Sequence, residues 1–497
     1  MAAAIEDSAL FREARGRGRV IVTEQPRIDL ENYIASYVGP TRLYRYMHIA
    51  STSTFLALDA LHAGIKEVKE GFNTAVYLQL VEMLAKVAPD DPLAEVDAEW
   101  MDDRIKMVKV LTDRLEGELK TYKNNMIKES IRMALEELGR HYMELNDYPS
   151  AIRSFTKMRE HCTLPKHISE MTILLIQAYI HQGQWSSVMS NAQKVHQLSL
   201  GREEKARLSP VLDACIGLSQ MQMRSYAAAA RSFLAVDPAY IAVVRSDSNT
   251  GAGPSSAHNQ GGLAASAGRH DFQRAILTPN DVALYGGLCA LMGMDRAQLR
   301  AEVLSGGAPF RQFLELEPHL RRAITLFCGS KYAACLEILE SFRPDWLCDV
   351  YMHDHVGQII AHVREKSVVE FFQPFSCVTF DELARTFVPP PGVKIEDELV
   401  DMIQRGALPA RIDLVDRLLI APHTPPRQEI HAAALEMTPK YEHNLRLRLL
   451  RLNMIGAGLE LKQPKGPHAV HVERPGVEHS VMADTQMVEG GDIYQPG

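Results

Sequence analysis

Four stretches of this chain share one internal spacing. Tyr148-x2-Ala151-x3-Phe155 recurs as Trp185-x2-Val188-x3-Ala192, as Tyr226-x2-Ala229-x3-Phe233 and as Tyr332-x2-Cys335-x3-Leu339. Steps of three and four put all three residues on one face of an α-helix. Each copy therefore reads as an aromatic at a turn, followed by small or apolar residues lining the second helix of a pair. One helix pair cannot bury its apolar face alone, so the copies must stack. From residue 28 to about 245 apolar residues keep helical spacing almost throughout, and strand-like alternation is scarce. The fold class that follows is predominantly all-α, a solenoid of helical repeats.

The first copy is the fullest. Leu138, Gly139 and Tyr142 precede Ala151 and Phe155 at the spacing of a tetratricopeptide unit, which the chain resembles here. The first three copies begin at 148, 185 and 226, so the repeat is irregular. Generic helix packing is the alternative. One spacing kept in four places favours the solenoid.

Composition shifts mark the boundaries. Residues 1–27 read as a loose arm and 28–245 as the helical-repeat domain. The stretch "SDSNTGAGPSSAHNQGGLAASAGRHD" holds one large apolar residue, Leu263. Such a segment cannot offset its ordering entropy, so 246–272 reads as a disordered insert. Residues 461–497 read the same way, as a tail. Residues 273–363 return to helical patterning.

Within that region, "TPNDVALYGGLCALMGMD" carries two adjacent glycines. Thr278, Pro279 and Asp281 make a helix start with a capping box. Val282, Tyr285, Cys289 and Met292 then form a bulky stripe, while Ala283, Gly287 and Ala290 form a small one. A phosphate loop needs its glycines before the helix and a lysine after them. Here Gly286 and Gly287 lie inside the helix, and no lysine follows. They read as places where a neighbouring helix comes close, with Ala283 and Ala290 beside them.

Residues 364–421 change character. "REKSVVEFFQPF" reads as a short helix ending near Pro374, and "TFDELARTF" as a second opened by a Thr379–Glu382 capping box. "KIEDELVDMIQRG" reads as a third, stopped by Gly406. "ARIDLVDRLLIA" reads as two strands around a Val415-Asp416 turn. Three helices and a small β-hairpin are the order of a winged helix. Beyond it, over 425–460, Ile430, Met437, Tyr441, Leu445 and Leu452 make an amphipathic stripe that Pro439 should kink or divide.

Chemistry is sparse. The most tempting metal pair is His353-x-His355, but a metalloprotease of the isopeptidase type wants a serine where Val363 stands, and no acid completes the set. No HExxH, GxSxG or Cys/His signature is present. Net charge is −8 and pI about 6.2, which disfavours nonspecific binding to nucleic acid or acidic membrane. The third helix of the winged helix carries Glu396, Asp397, Glu398 and Asp401 against Lys394 and Arg405, the wrong sign for a DNA groove. "ARGRGRV" is too short a basic stretch to argue for RNA. No apolar run reaches the ~18 residues of a membrane span, and "MAAAIEDSALF" lacks the features of a signal peptide. Seven cysteines without a CxxC pair read as reduced, mostly buried thiols. No cofactor, metal, nucleic acid or membrane is expected.

Helical repeats leading into a winged helix is the plan of the PCI domain. "NDVALYGGLCAL", "FLELEP", "KYAACLEIL", "FFQPF" and "IEDELVDMIQRGALPARID" resemble the subunit 1 family of the COP9 signalosome. So do "RIDLENYIASYVGPTRLYRYMHIA", "HCTLPKHISEM" and "QWSSVMS". The likeness runs from about 28 to 455 and is most specific over 276–421. It implies a non-catalytic scaffold, in the nucleus and cytoplasm, of an assembly that removes the ubiquitin-like modifier Nedd8 from cullins, the zinc protease being another subunit. It implies winged-helix edges that pair with other PCI subunits, with Ile412, Leu414, Leu418 and Ile420 as candidates. Ile430, Met437, Tyr441, Leu445 and Leu452 become candidates for a shared C-terminal helix bundle. Cullin-RING ligases are reached indirectly or through the N-terminal arm. The rival readings are the homologous PCI subunit of the proteasome lid, a nucleic-acid regulator and an enzyme.

Overall fold

The computed structural model describes residues 5–241, 271–388, 394–422 and 426–459. The expected insert and tail lie almost wholly outside these. The chain divides into two units, residues 1–421 and 422–497. The first is a run of helices: α1 (Ala9–Gly16), α2 (Leu30–Ala35), α3 (Pro40–Thr52), α4 (Ala57–Glu70), α5 (Thr74–Val87), α6 (Ala98–Asn124), α7 (Lys128–Glu144), α8 (Tyr148–Met158), α9 (Pro165–Gln182), α10 (Trp185–His196), α11 (Arg202–Gln222) and α12 (Tyr226–Leu234). After residue 270 come α13 (Pro279–Gly293), α14 (Pro318–Cys328), α15 (Tyr332–Leu347) and α16 (His353–Phe372). A small domain closes this unit: β1 (Cys377–Thr379), α17 (Phe380–Thr386), α18 (Ile395–Gln404), β2 (Arg411–Asp413) and β3 (Leu418–Ile420). The second unit contains α19 (Pro426–Gly456).

The repeat is a backbone motif as much as a side-chain one. In all four copies the residue two positions before the aromatic is left-handed: Asn146 at φ 59°, Gly183 at 73°, Arg224 at 61° and Ser330 at 61°. In all four the next amide reaches back to a carbonyl five residues earlier. The bonds run from Asp147 to Tyr142, Gln184 to Tyr179, Ser225 to Gln220 and Lys331 to Leu326, each 2.8–3.0 Å long. This is the Schellman ending, which satisfies carbonyls the helix leaves free. The aromatic then starts the second helix from the same place each time.

Volumes across each pair are complementary. Gly139 and Gly217 are the positions against which Phe155 and Phe233 lie, and a Cβ at Gly217 would stand 2.9 Å from the Phe233 ring. In the second copy the phenylalanine is replaced by Ala192, and the position sixteen residues earlier holds Ile176 in place of glycine. Both are fully buried. The fourth copy settles between, with Ala323 and Leu339. Close packing requires such compensation, because neither a void nor an overlap is cheap.

Helix α13 is buried on nearly every side rather than on one stripe, as expected of a helix apolar all round. Its capping box is formed as the residues predict, the Asp281 amide donating to Thr278 Oγ1 and the Thr278 amide to Asp281 Oδ2. Ala283 and Ala290 are fully buried. A Cβ on Gly286 would lie 2.7 Å from Phe310 Cζ and 2.9 Å from Phe233 Cβ, and one on Gly287 would overlap Leu320. Gly287→Leu is therefore expected to lower stability by about 1–3 kcal/mol through overpacking. An unchanged urea midpoint for that variant would refute the close-approach reading.

Two expectations need correction. Residues 5–27 are not a loose arm. Phe11 is fully buried with Ile5 and Ala57, and Val22 forms a parallel bridge to Ser53. "IEDSALFREA" contains a short apolar face that its charges conceal. Residues 27–45 also do not simply open a solenoid. They cross to the far end of the sequence. The Arg27 amide donates to Asp345 (2.7 Å), the Val38 amide to the Arg274 carbonyl (3.0 Å) and Tyr37 Oη to Asp281 (2.7 Å). At the centre lies Arg45, with no exposed surface, 2.6 Å from Asp349 and 3.5 Å from Asp281. Asp349 also accepts from Tyr33 Oη, Tyr285 Oη and the amides of Tyr351 and Met352, all within 3.0 Å. Burial alone would raise its pKa. Arg45 and these donors outweigh burial and hold it ionised, below the usual carboxylate range. At Asp281 burial wins over Arg45, and the pKa is raised.

Candidate assembly surfaces

The winged helix is built around a three-stranded antiparallel sheet in the order β1-β3-β2. β1 is absent from the sequence reading, since "CVT" is too short to show alternation. Helix α16 runs from His353 to Phe372, so the expected short helix is the end of a long one. Helix α17 is capped by Thr379, which accepts from the Glu382 amide. Helix α18 stays acidic at its start. Glu398 pairs with Arg364 and Glu396 with Arg417, both at 2.7 Å.

The register decides which nominated side chains face inward. Val378, Leu419 and Ile412 stand in one row. Val378 and Leu419 are buried, and half-buried Ile412 packs on the same core. Leu418 and Ile420 therefore point to the other face, where Ile420 is 36% exposed. They lie on the central strand, whose two neighbours already take up its backbone groups. The open edges among the described residues are β1 and β2, so only Ile412 of the four nominees sits on an edge. Leu414 is not on a strand. It stands in the turn before Arg417, 74% exposed, beside Val415 at 91%. Asp413 Oδ1 accepts from the amides of Val415 (2.9 Å) and Asp416 (3.4 Å) and fixes that turn.

In the second unit, α19 is one unbroken helix through Pro439, not two. A mid-helix proline removes a single backbone bond, and here the flanking bonds carry the helix on. The helix spans roughly 46 Å at the standard rise. Ile430, Met437, Tyr441, Leu445 and Leu452 are all exposed, Leu445 least at 42%. So are Leu447, Leu449 and Leu450. Five leucines within eight residues at these positions surround the helix rather than forming one stripe.

The two histidines that suggested a metal are engaged in packing. His353 Nδ1 lies 2.8 Å from the Leu347 carbonyl, and His355 Nδ1 lies 2.9 Å from Tyr226 Oη. Among the described residues no group of three His, Cys, Asp or Glu side chains is placed to hold a metal ion. Nor is any described helix long and apolar enough to cross a membrane. Five of the seven cysteines are buried, Cys162 is half-buried and Cys377 exposed, all as free thiols.

Two family models match, that of the PCI domain over residues 339–423 and that of the 26S proteasome subunit RPN7 over 97–245. A protein of Emericella nidulans named COP9 signalosome complex subunit 1 is 41% identical over 95% of this chain and 91% of its own length. The chain belongs to the COP9 signalosome subunit 1 family. The Arabidopsis thaliana protein of that name is 31% identical over 89% of this chain and 93% of its own. A Caenorhabditis elegans protein named 26S proteasome non-ATPase regulatory subunit 6 is more distant, 21% identical over 76% of the chain. Signalosome subunit 1 relatives therefore match both the helical repeats and the winged helix.

Proposed function

We propose that this chain is a non-catalytic scaffold subunit of the COP9 signalosome, joining other PCI subunits to support removal of Nedd8 from cullins. The observation that carries this is identity with subunit 1 proteins along almost the whole chain. Two surfaces suit the role. Among the described residues, the winged helix offers two unpaired edges, which can accept a strand of a neighbour. Helix α19 offers more exposed leucine than a lone soluble helix tolerates, and a bundle of partner helices would bury it. Cullin-RING ligases are engaged through the assembled complex, and the proposed setting is the nucleus and cytoplasm. The proteasome-lid reading is disfavoured by the much lower identity to that relative.

The test is an affinity pull-down of tagged full-length chain from its own cells, beside a deletion of residues 425–497. Signalosome subunits are expected with the full chain and should fall away, or weaken, with the deletion. Recovery of proteasome-lid subunits instead would overturn the assignment. Equal recovery by both chains would remove the helix from the interface.

A further inference from the structure

Residues 27–37 do not seal against the helices they cross. They leave a cavity of about 700 Å³ between this segment, the start of α13, the start of α14 and the end of α15. Its wall is chemically lopsided. Asp281, Glu317 and Asp345 all line it. Asp281 is answered by Arg45, and Asp345 accepts the Arg27 amide. Among the described residues, Glu317 has as its ion-pair neighbour only His319 Nδ1, 3.4 Å away. That imidazole is held neutral, its pKa lowered to about 4 by burial and by nearby Arg27, and its Nε2 is buried without a partner. Beside the carboxylates stands an aromatic shelf. His319 stacks on Phe342 at 4.0 Å, and Trp346 lies parallel to Phe342 at 6.4 Å.

Carboxylates beside aromatic faces are how proteins recognise organic cations. The shelf already receives one such group, because the Arg27 guanidinium lies 4.7 Å over the Phe342 ring. The other basic lining residue, Arg274, donates to the Ala35 carbonyl at 2.9 Å. Glu317 stands half-buried beside two other acids, with no Lys or Arg paired to it among the described residues.

We propose that this cavity is a binding site for an organic cation of the guanidinium or alkylammonium type, paired with Glu317 and stacked on the Phe342–Trp346 shelf. The chemistry is shared by an arginine or lysine side chain of a partner and by a free polyamine. The proposal stands on the cavity and is independent of the signalosome reading.

Calorimetric titration of the full-length chain tests it, with acetyl-Gly-Arg-Gly-amide and spermidine as separate probes at constant ionic strength. Saturable one-site binding of at least one probe is expected. Glu317→Gln should weaken it about tenfold, the loss of one charge-assisted contact. It should leave the melting temperature unchanged or higher, since the lost carboxylate is repelled by its neighbours. Phe342→Leu, which keeps the charge, should weaken binding less. A preference for the peptide assigns the site to a partner's basic side chain, and a preference for spermidine assigns it to a small polyamine. No saturable binding up to millimolar probe, or wild-type affinity in both variants, overturns the proposal.

Discussion

Arg45→Met is expected to cost about 3–5 kcal/mol of stability, the usual penalty for leaving a buried charge without its partner. The reason lies in what remains. Asp349 would keep its four hydrogen-bond donors from Tyr33, Tyr285 and the amides of Tyr351 and Met352, but lose the one cation that pairs with it among the described residues. Methionine fills the volume, so the loss is electrostatic rather than a cavity. Urea unfolding of the full chain measures it, as a lower midpoint. Limited proteolysis should show new cleavage between residues 27 and 45, because that segment is tied down through the same network. Adding Asp349→Asn to Arg45→Met should cost less than the two single changes summed, since the second removes the charge the first strands. A wild-type midpoint for Arg45→Met would mean the network does not hold the segment.

The second large effect is acid sensitivity. His181 stacks against Tyr148 and Tyr44, with ring centroids 5.3 and 5.9 Å away, and its Nε2 is buried without a partner. Burial lowers its pKa to about 4. His48, beside His353, is lowered to about 4 for the same first reason. A histidine whose pKa falls on folding binds its proton more readily in the unfolded chain. Above about pH 6.5 it has no effect, and as pH falls from there towards 4 it favours unfolding. At pH 5 the penalty is about 2 kcal/mol for each such imidazole. Glu317 works the other way. Its carboxyl, pushed up to about 7 chiefly by burial, takes its proton first in the folded chain and adds stability as pH falls below 7. His181→Phe isolates one contribution. Its stability relative to wild type should improve by about 2 kcal/mol between pH 7 and pH 5. A difference that does not change with pH would mean that His181 is protonated as easily folded as unfolded.

What the sequence revealed, and what it hid, follows from the range of each interaction. The helix pairs were legible because Tyr148, Ala151 and Phe155 lie within two turns of one helix, and apolar spacing records that directly. The cap of α13 was legible for the same reason, as Thr278 and Asp281 are three residues apart. Asp281 has a second role that no local pattern encodes, because its partners Tyr37 and Arg45 come from the other end of the chain. The left-handed turns were hidden because asparagine, glycine, arginine and serine share no side-chain feature. What they share is the backbone bond that ends each helix, which no side chain records. Among the nominated surface residues, alternation could not separate Ile412 from Leu418, because β-strand polarity needs a register and the register depends on β1.

The tie between Arg45 and Asp349 spans 304 residues. At typical rates of synthesis, the ribosome needs about 15–60 s to make that interval. Throughout it, a nascent chain holds a cation and two tyrosines meant for an interior that does not yet exist. The amino-terminal third can stack its helices as they emerge, but it cannot lock its first segment until the last helices before the winged helix have appeared. Translation therefore sets the order in which this subunit matures, and the final step waits on α15 and the residues just beyond it.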